Sequence, residues 1–358
     1  MSGLLDPPYA LDSGGMIERI EELGYQIDEA LARGAAEAWC VPAAPITLLA
    51  VGAMGGSAIA ADLSSDVWID RLPRPILTVR DYHWPACVAR GTLAVLCSYS
   101  GNTEETLSLY REAGSRGVVR AAISSGGTLT HWCDRDRVAI SSVPGGSPPR
   151  AALFGVWVAL SGILRGLGWI EDPTLAWREA SATLRERTAR LGASLSEATN
   201  PLKQLARTLS GKQVFVYAGA ARTGAVATRV RNQINENAKL LGHSAVVPEL
   251  DHNEIVGWER PGPLRDRVAI VVLRDPDDTP ETGARLDLTA ELAARQGATV
   301  HEVEGRGESR LARLASLVQF GDYVSLYVAL LAGVDPTPIA SIDEFKRRLA
   351  PPGPVRGR

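Results

Sequence analysis

The chain has 358 residues, 45% hydrophobic and 22% charged, with 38 basic residues against 41 acidic ones and a formal net charge of −3. That length suits two domains with cores of their own, and the composition excludes a disordered or fibrous chain. Scattered, slightly acidic charge offers no basic face to a nucleic acid, and neither a long unbroken apolar run nor a signal-peptide pattern occurs; no nucleic-acid or membrane partner and a cytoplasmic location are expected.

An amphipathic segment, GGMIERIEELGYQIDEALARGAAEAW, predicts a helical extension over residues 1–45. Next, PITLLAVGAMGGSAIAADLSSDV reads as an apolar strand, a glycine turn and a helix of small residues. GTLAVLCSYSGNTEETLSLYREA repeats that grammar, and GVVRAAISSGG supplies a third strand. Strands alternating with helices imply an α/β fold with a parallel, doubly wound sheet over 46–150. ALFGVWVALSGILRGLG and WREASATLRERTARLGASL predict a helical connector over 151–209. A second unit over 210–335 opens with KQVFVYAGAARTGAVATRVRNQINENAKL and carries strands in DRVAIVVLRD and GATVHEVEG. Gly52 and Gly219 end the first strands of the two halves, and residues 336–358 form a tail carrying Lys346.

Where the second strand of the first half ends, CSYSGNTEET places Ser98, Ser100 and Thr103 ahead of a helix, with Gly101 for close backbone approach. In an open parallel sheet ligands gather beyond the carboxyl ends of the strands, and a helix N-terminus there offers free N–H groups and partial positive charge. The loop therefore suits a phosphate. Its plainer reading is a helix capped by Thr103 behind a solvated turn. GAMGGSAIA adds Gly55, Gly56 and Ser57 after the neighbouring strand, so two loops converge; it is not GxGxxG, which places a sugar phosphate ahead of a dinucleotide. In the second half VLRDPDDTPET presents Asp275, Asp277 and Asp278, which would repel an anion.

Cys40, Cys87, Cys97 and Cys133 form no CxxC pair and are expected reduced, with Cys97 buried; the histidines show no HExxH spacing. Neither a metal nor an organic cofactor is called for.

GAMGGSAIA followed by SYSGNTEET resembles the sugar isomerase (SIS) domain, a flavodoxin-like unit that binds phosphosugars, here in tandem. NQINENAK (Asn232 to Lys239), PELDHNEIVGW (Pro248 to Trp258), the arginine of GGSPPRAALF and the lysine of IDEFKRRL resemble, more narrowly, the bifunctional phosphoglucose/phosphomannose isomerase family, over roughly Ile46 to Leu349. The chain departs from that pattern in its N-terminal extension and in the connector around Trp177 to Leu209. The resemblance implies phosphate contacts from Gly56, Ser57, Ser98, Ser100 and Thr103. It implies Glu236 as catalytic base, His252 as the ring-opening residue, Lys346 as its helper and Arg150 as electrostatic stabiliser. In that family the histidine comes from the partner subunit, so a homodimer is expected.

Aldose–ketose interconversion suits these residue types. It moves a proton between C1 and C2 through a cis-enediolate, so it needs one base beside both carbons, a group that exchanges protons with the ring oxygen, and positive charge near O1 and O2. A glutamate has the reach for the first task, an imidazole titrates in the right range for the second, and a guanidinium stays charged for the third. The expected activity interconverts glucose 6-phosphate and fructose 6-phosphate, and also mannose 6-phosphate. The alternatives are a non-catalytic phosphosugar sensor, which the opening 45 residues do not equip with a DNA-binding motif, or another SIS isomerase. The sugar half of an aminosugar synthase would lack its glutaminase domain. His83, His131, His243 and His301 are read as structural.

Overall fold

A computed structural model describes residues 3–36, 45–260, 262–264 and 266–349; Cys40 and the tail beyond 349 lie outside it. Along the chain come α1 (Met16–Glu21), α2 (Leu23–Ala36), β1 (Leu48–Ala53), α3 (Gly55–Val67), β2 (Ile76–Val79), β3 (Thr92–Cys97), α4 (Glu104–Ser115), β4 (Val119–Ser124), α5 (Gly127–Asp136) and β5 (Ala139–Ser142). A short 3-10 turn, Pro149–Ala151, leads to α6 (Leu153–Gly166), α7 (Thr174–Leu191) and α8 (Pro201–Leu209). The second half holds β6 (Gln213–Gly219), α9 (Gly224–Ala238), β7 (His243–Val247), β8 (Val268–Arg274), α10 (Pro280–Arg295), β9 (Thr299–Glu304), α11 (Arg310–Leu331) and α12 (Ala340–Leu349), with 3-10 turns between β7 and β8.

All strand pairs are parallel. The first sheet has the order β2-β1-β3-β4-β5 and the second β7-β6-β8-β9. The first order is the flavodoxin-like arrangement, whose switch point lies between β1 and β3. Central strands such as TLAVLC and VAIVVL are apolar on both faces because helices cover both. The sequence shows these clearly; the edge strands β2, β5 and β7, short and only partly buried, go unnoticed in it. Cys97 and Cys133 are buried free thiols and Cys87 is exposed.

The halves meet through α3 and α9, where Asp66 Oδ2 accepts the Ala225 N–H at 2.8 Å. α11 is long and apolar enough to cross a membrane, yet it is the core helix of this fold, buried against α7, α8 and α9. It also carries Arg313, Gln319 and Asp322, all buried and hydrogen-bonded. α2 lies along α6 and α7, with Ser181 Oγ donating to the Gly24 carbonyl at 2.9 Å.

Candidate active site

β1 and β3 end side by side and release the two loops at the switch point. Gly55 starts α3 with a φ of +50°, a left-handed conformation that glycine adopts at little cost. After β3, Thr103 occupies the position before α4 but its hydroxyl does not cap the helix; it lies 2.8 Å from Ser98 Oγ instead. That geometry disfavours the simple-cap reading and leaves the first N–H groups of α4 facing the loop. Gly101, at φ +67°, packs so tightly that a Cβ there would stand 1.7 Å from the Gly126 carbonyl. Asn102 Oδ1 accepts both the Thr128 N–H at 3.0 Å and its hydroxyl at 2.9 Å, locking the loop to the one after β4. Ser57 and Ser98 are buried, and Ser100 is exposed with its Oγ accepting the Asn102 N–H. Glu104 is exposed and Glu105 lies beside the Tyr82 hydroxyl, so one of the two acids at this helix start is solvated and the other engaged.

Arg150 joins this loop system to the second half. A Cβ on Gly56 would lie 3.3 Å from the Pro149 carbonyl and 3.5 Å from Arg150 Cα, so the β1 loop rests directly on the arginine's backbone. The Arg150 side chain is buried: Nε donates to Asn237 Oδ1 at 2.9 Å, and Nη2 to the carbonyls of Pro336 and Thr337 at 2.7 and 2.9 Å. Nη1 points to Glu236, 3.7 Å from Oε2. Burial pulls the guanidinium's pKa down and Glu236 opposes it; an arginine nevertheless stays charged.

Glu236 sits near the end of α9, its side chain 29% exposed. Gln233 and Asn237 of NQINENAK are buried, whereas Asn235 is exposed. Gln233 Nε2 donates to Asp322 Oδ1 at 2.9 Å, Asn237 Nδ2 to Ser325 Oγ at 2.9 Å, and Asn235 Oδ1 accepts the Gly242 N–H at 2.7 Å. These bonds fix the helix around Glu236, since a buried amide without partners would be costly. Gly56 thus rests on Arg150, whose guanidinium faces Glu236, while Ser98 and Thr103 bond to one another at the start of α4.

His252 and Lys346 stand apart from it. Both are exposed, and among the described residues no hydrogen bond or ion pair joins either to Glu236 or Arg150. The loop around His252 is nevertheless pinned on both sides. Asp251 holds Arg285 at 2.8 Å and the Thr289 hydroxyl at 2.9 Å, while Glu254 accepts from the Tyr217 hydroxyl at 2.6 Å and lies 2.8 Å from His243 Nε2. The imidazole of His252 is presented outward on a fixed support.

At the end of β8 the acidic residues are engaged within the chain. Arg313 binds Asp275 through Nε at 3.0 Å and Nη2 at 3.1 Å and also contacts Asp277, while Asp278 Oδ2 accepts the Asp275 N–H at 3.1 Å.

Sequence reasoning passes over several supports of the site. Arg229 and Asp322 lie behind Arg150, Lys239 lies beside Glu236, and residues of the N-terminal extension hold two of the site's loops. Arg19 Nη1 donates to Ser147 Oγ at 2.7 Å, Ser13 binds Asp335, and Gly14 lies against Thr337. No motif signals them; the asparagine-rich run of α9 was the one clue that partners had to exist.

Residues 198–349 match a family described as the bacterial phospho-glucose isomerase C-terminal SIS domain. The bifunctional phosphoglucose/phosphomannose isomerase of Caldicellulosiruptor bescii is 37% identical over 335 residues, which covers 94% of this chain and 99% of that one. The protein of the same name from Aquifex aeolicus is 34% identical over 298 residues, covering 83% and 88%. Among solved structures, the C-terminal domain of glucosamine-fructose-6-phosphate aminotransferase from Francisella tularensis superposes with a TM-score of 0.68 at 16% identity, covering 90% of this chain and 97% of that one. Tagatose-6-phosphate ketose/aldose isomerase from Escherichia coli gives 0.61 at 14%, covering 89% and 90%. These two likenesses concern the fold alone. With its tandem parallel sheets, its hydroxyl-lined loop and relatives of this identity along nearly its whole length, the chain belongs to the bifunctional phosphoglucose/phosphomannose isomerase family.

Proposed function

We propose that this chain interconverts glucose 6-phosphate and fructose 6-phosphate, and mannose 6-phosphate and fructose 6-phosphate, in the cytoplasm. The carrying observation is the Glu236 carboxylate 3.7 Å from the buried Arg150 guanidinium, whose backbone supports the Gly56 loop. Gly56, Ser57, Ser98, Ser100, Thr103 and the start of α4 hold the phosphate. Glu236 takes the proton from C2 of the aldose, or C1 of the ketose, and returns it to the other carbon. Negative charge gathers on O1 and O2 during the transfer, and Arg150 balances it without exchanging a proton. His252, assisted by Lys346, moves the proton that opens the sugar ring.

His252 acts across a homodimer in this reading. Its outward exposure supports that, as does α12, which has no buried residue and exposes Ile342, Phe345 and Leu349 beside Lys346. The partner surface is the apolar groove of Ile255, Ala284, Leu288 and Leu292 next to the His252 loop, on a second copy of the chain.

A coupled assay with each sugar phosphate, in EDTA, tests the reaction. Product from fructose 6-phosphate and from mannose 6-phosphate is expected; binding without product would make the protein a sensor. Glu236→Gln should lose turnover by about 10²- to 10⁴-fold and keep binding. Mixing Glu236→Gln with His252→Ala should restore activity through hybrid dimers, each with one intact site. No restoration would place His252 in its own subunit's site or outside the reaction.

A further inference from the structure

Lys239 closes α9 in the left-handed conformation, with φ at 56°. A non-glycine residue there costs roughly 1–2 kcal/mol, and glycine is the usual occupant. Something must offset that cost. The three N–H groups of the lysine's Nζ are shared among four carbonyls: Glu236 at 2.9 Å, Asn237 at 3.2 Å, Asp335 at 2.7 Å and Pro336 at 3.0 Å. Two belong to the last turn of the helix that carries Glu236, and two to the turn that leads into α12 and Lys346. The Pro336 carbonyl is shared with Arg150 Nη2, so two cations grip one oxygen. Desolvation and then Arg150 lower the pKa of this ammonium, against the pull of Asp335 and Glu236.

We propose that Lys239 is a positioning residue of the reaction. It ties the 335–337 turn to the base helix, and it holds a second positive charge beside Glu236, where Arg150 supplies the first. The proposal rests on Glu236 being the base. With its donors committed to carbonyls, the ammonium does not touch substrate; it acts through Glu236 and through the placement of α12. The charged groups around Glu236 are Arg150 from the 3-10 turn, Lys239 from α9 itself and Asp335 from the turn before α12, with Arg229 and Asp322 behind Arg150.

Lys239→Gly tests it, because glycine relieves the strained backbone and keeps the fold while removing clamp and charge. With fructose 6-phosphate the expected result is a kcat about tenfold lower at a KM within about twofold. Lys239→Arg, which keeps the cation, should recover most of the lost kcat. A Lys239→Gly enzyme with unchanged kcat would overturn the proposal, making the lysine a helix cap alone. Glu236→Gln, run alongside, separates the two claims. Its inactivity with a normal Lys239→Gly enzyme sinks only the role of Lys239, whereas its full activity sinks the base and this role with it.

Discussion

Arg229 Nη2 donates to the main-chain carbonyl of Arg150 at 2.7 Å while holding Asp322 Oδ1 at 2.9 Å. One arginine therefore fixes the backbone of another, and a buried carboxylate balances the charge. A buried pair adds little net stability over an apolar pair, but breaking it on one side is costly. Asp322→Ala should lower the unfolding free energy by about 3–5 kcal/mol, read from urea denaturation. It should also lower kcat, since Arg229 then leaves the Arg150 carbonyl to find another acceptor. A loss under 1 kcal/mol would show the pair to be unimportant.

Gly101 admits no side chain, because both its φ of +67° and the Gly126 carbonyl forbid one. Gly101→Ala must open the contact between the loops after β3 and β4. The KM for fructose 6-phosphate should rise at least about tenfold, the cost of one or more displaced phosphate contacts. An unchanged KM would remove this loop from phosphate binding.

Asp66 gives a stability signal with a definite sign. Burial pushes its carboxyl up to about 7 from an ordinary 3.8, with Asp62 adding to the rise and the Ala225 N–H and Arg310 opposing it. Between those values the folded chain binds more protons than the unfolded chain. This group's contribution is therefore full below about pH 4 and lost as pH climbs through about 7. Asp66→Asn can still accept from Ala225 but carries no charge. It should match the parent in acid and exceed it at pH 8, by at most about 4 kcal/mol. Parallel stability curves for the two proteins would contradict this.

Gly14 lies where a Cβ would meet Thr337 Cγ2 at 2.4 Å. Gly14→Ala should therefore push on the 335–337 turn and lower kcat severalfold with little change in KM, as a displaced support would. Adding Thr337→Ala makes room and should recover most of the loss. If the double variant is no better than the single one, the contact is not the cause.

The sequence made the central strands legible because both faces of TLAVLC and VAIVVL are buried, and it made the loop after β3 legible because hydroxyls and glycine cluster where a strand ends. Edge strands such as ILTV and HSAVV carry no comparable pattern, since each shares its faces with solvent. The Arg229–Asp322 pair and the Ser13–Asp335 contact join residues distant in sequence, and such partners follow only from the packing of helices. Lys239 escaped for a different reason: a lysine at the end of a helix looks like a solvated cap until its four carbonyls are seen.

The support that Ser13, Gly14 and Arg19 give to Asp335, Thr337 and Ser147 also orders events during synthesis. Ser13 must wait for Asp335, 322 positions further along the chain. The first sheet and its hydroxyl-lined loop can form while the chain is still growing, but Arg150 gains its carbonyl acceptors only when Pro336 and Thr337 have been added. A chain that has not yet reached Pro336 can thus hold a complete first sheet while the Arg150 guanidinium still lacks its carbonyl acceptors.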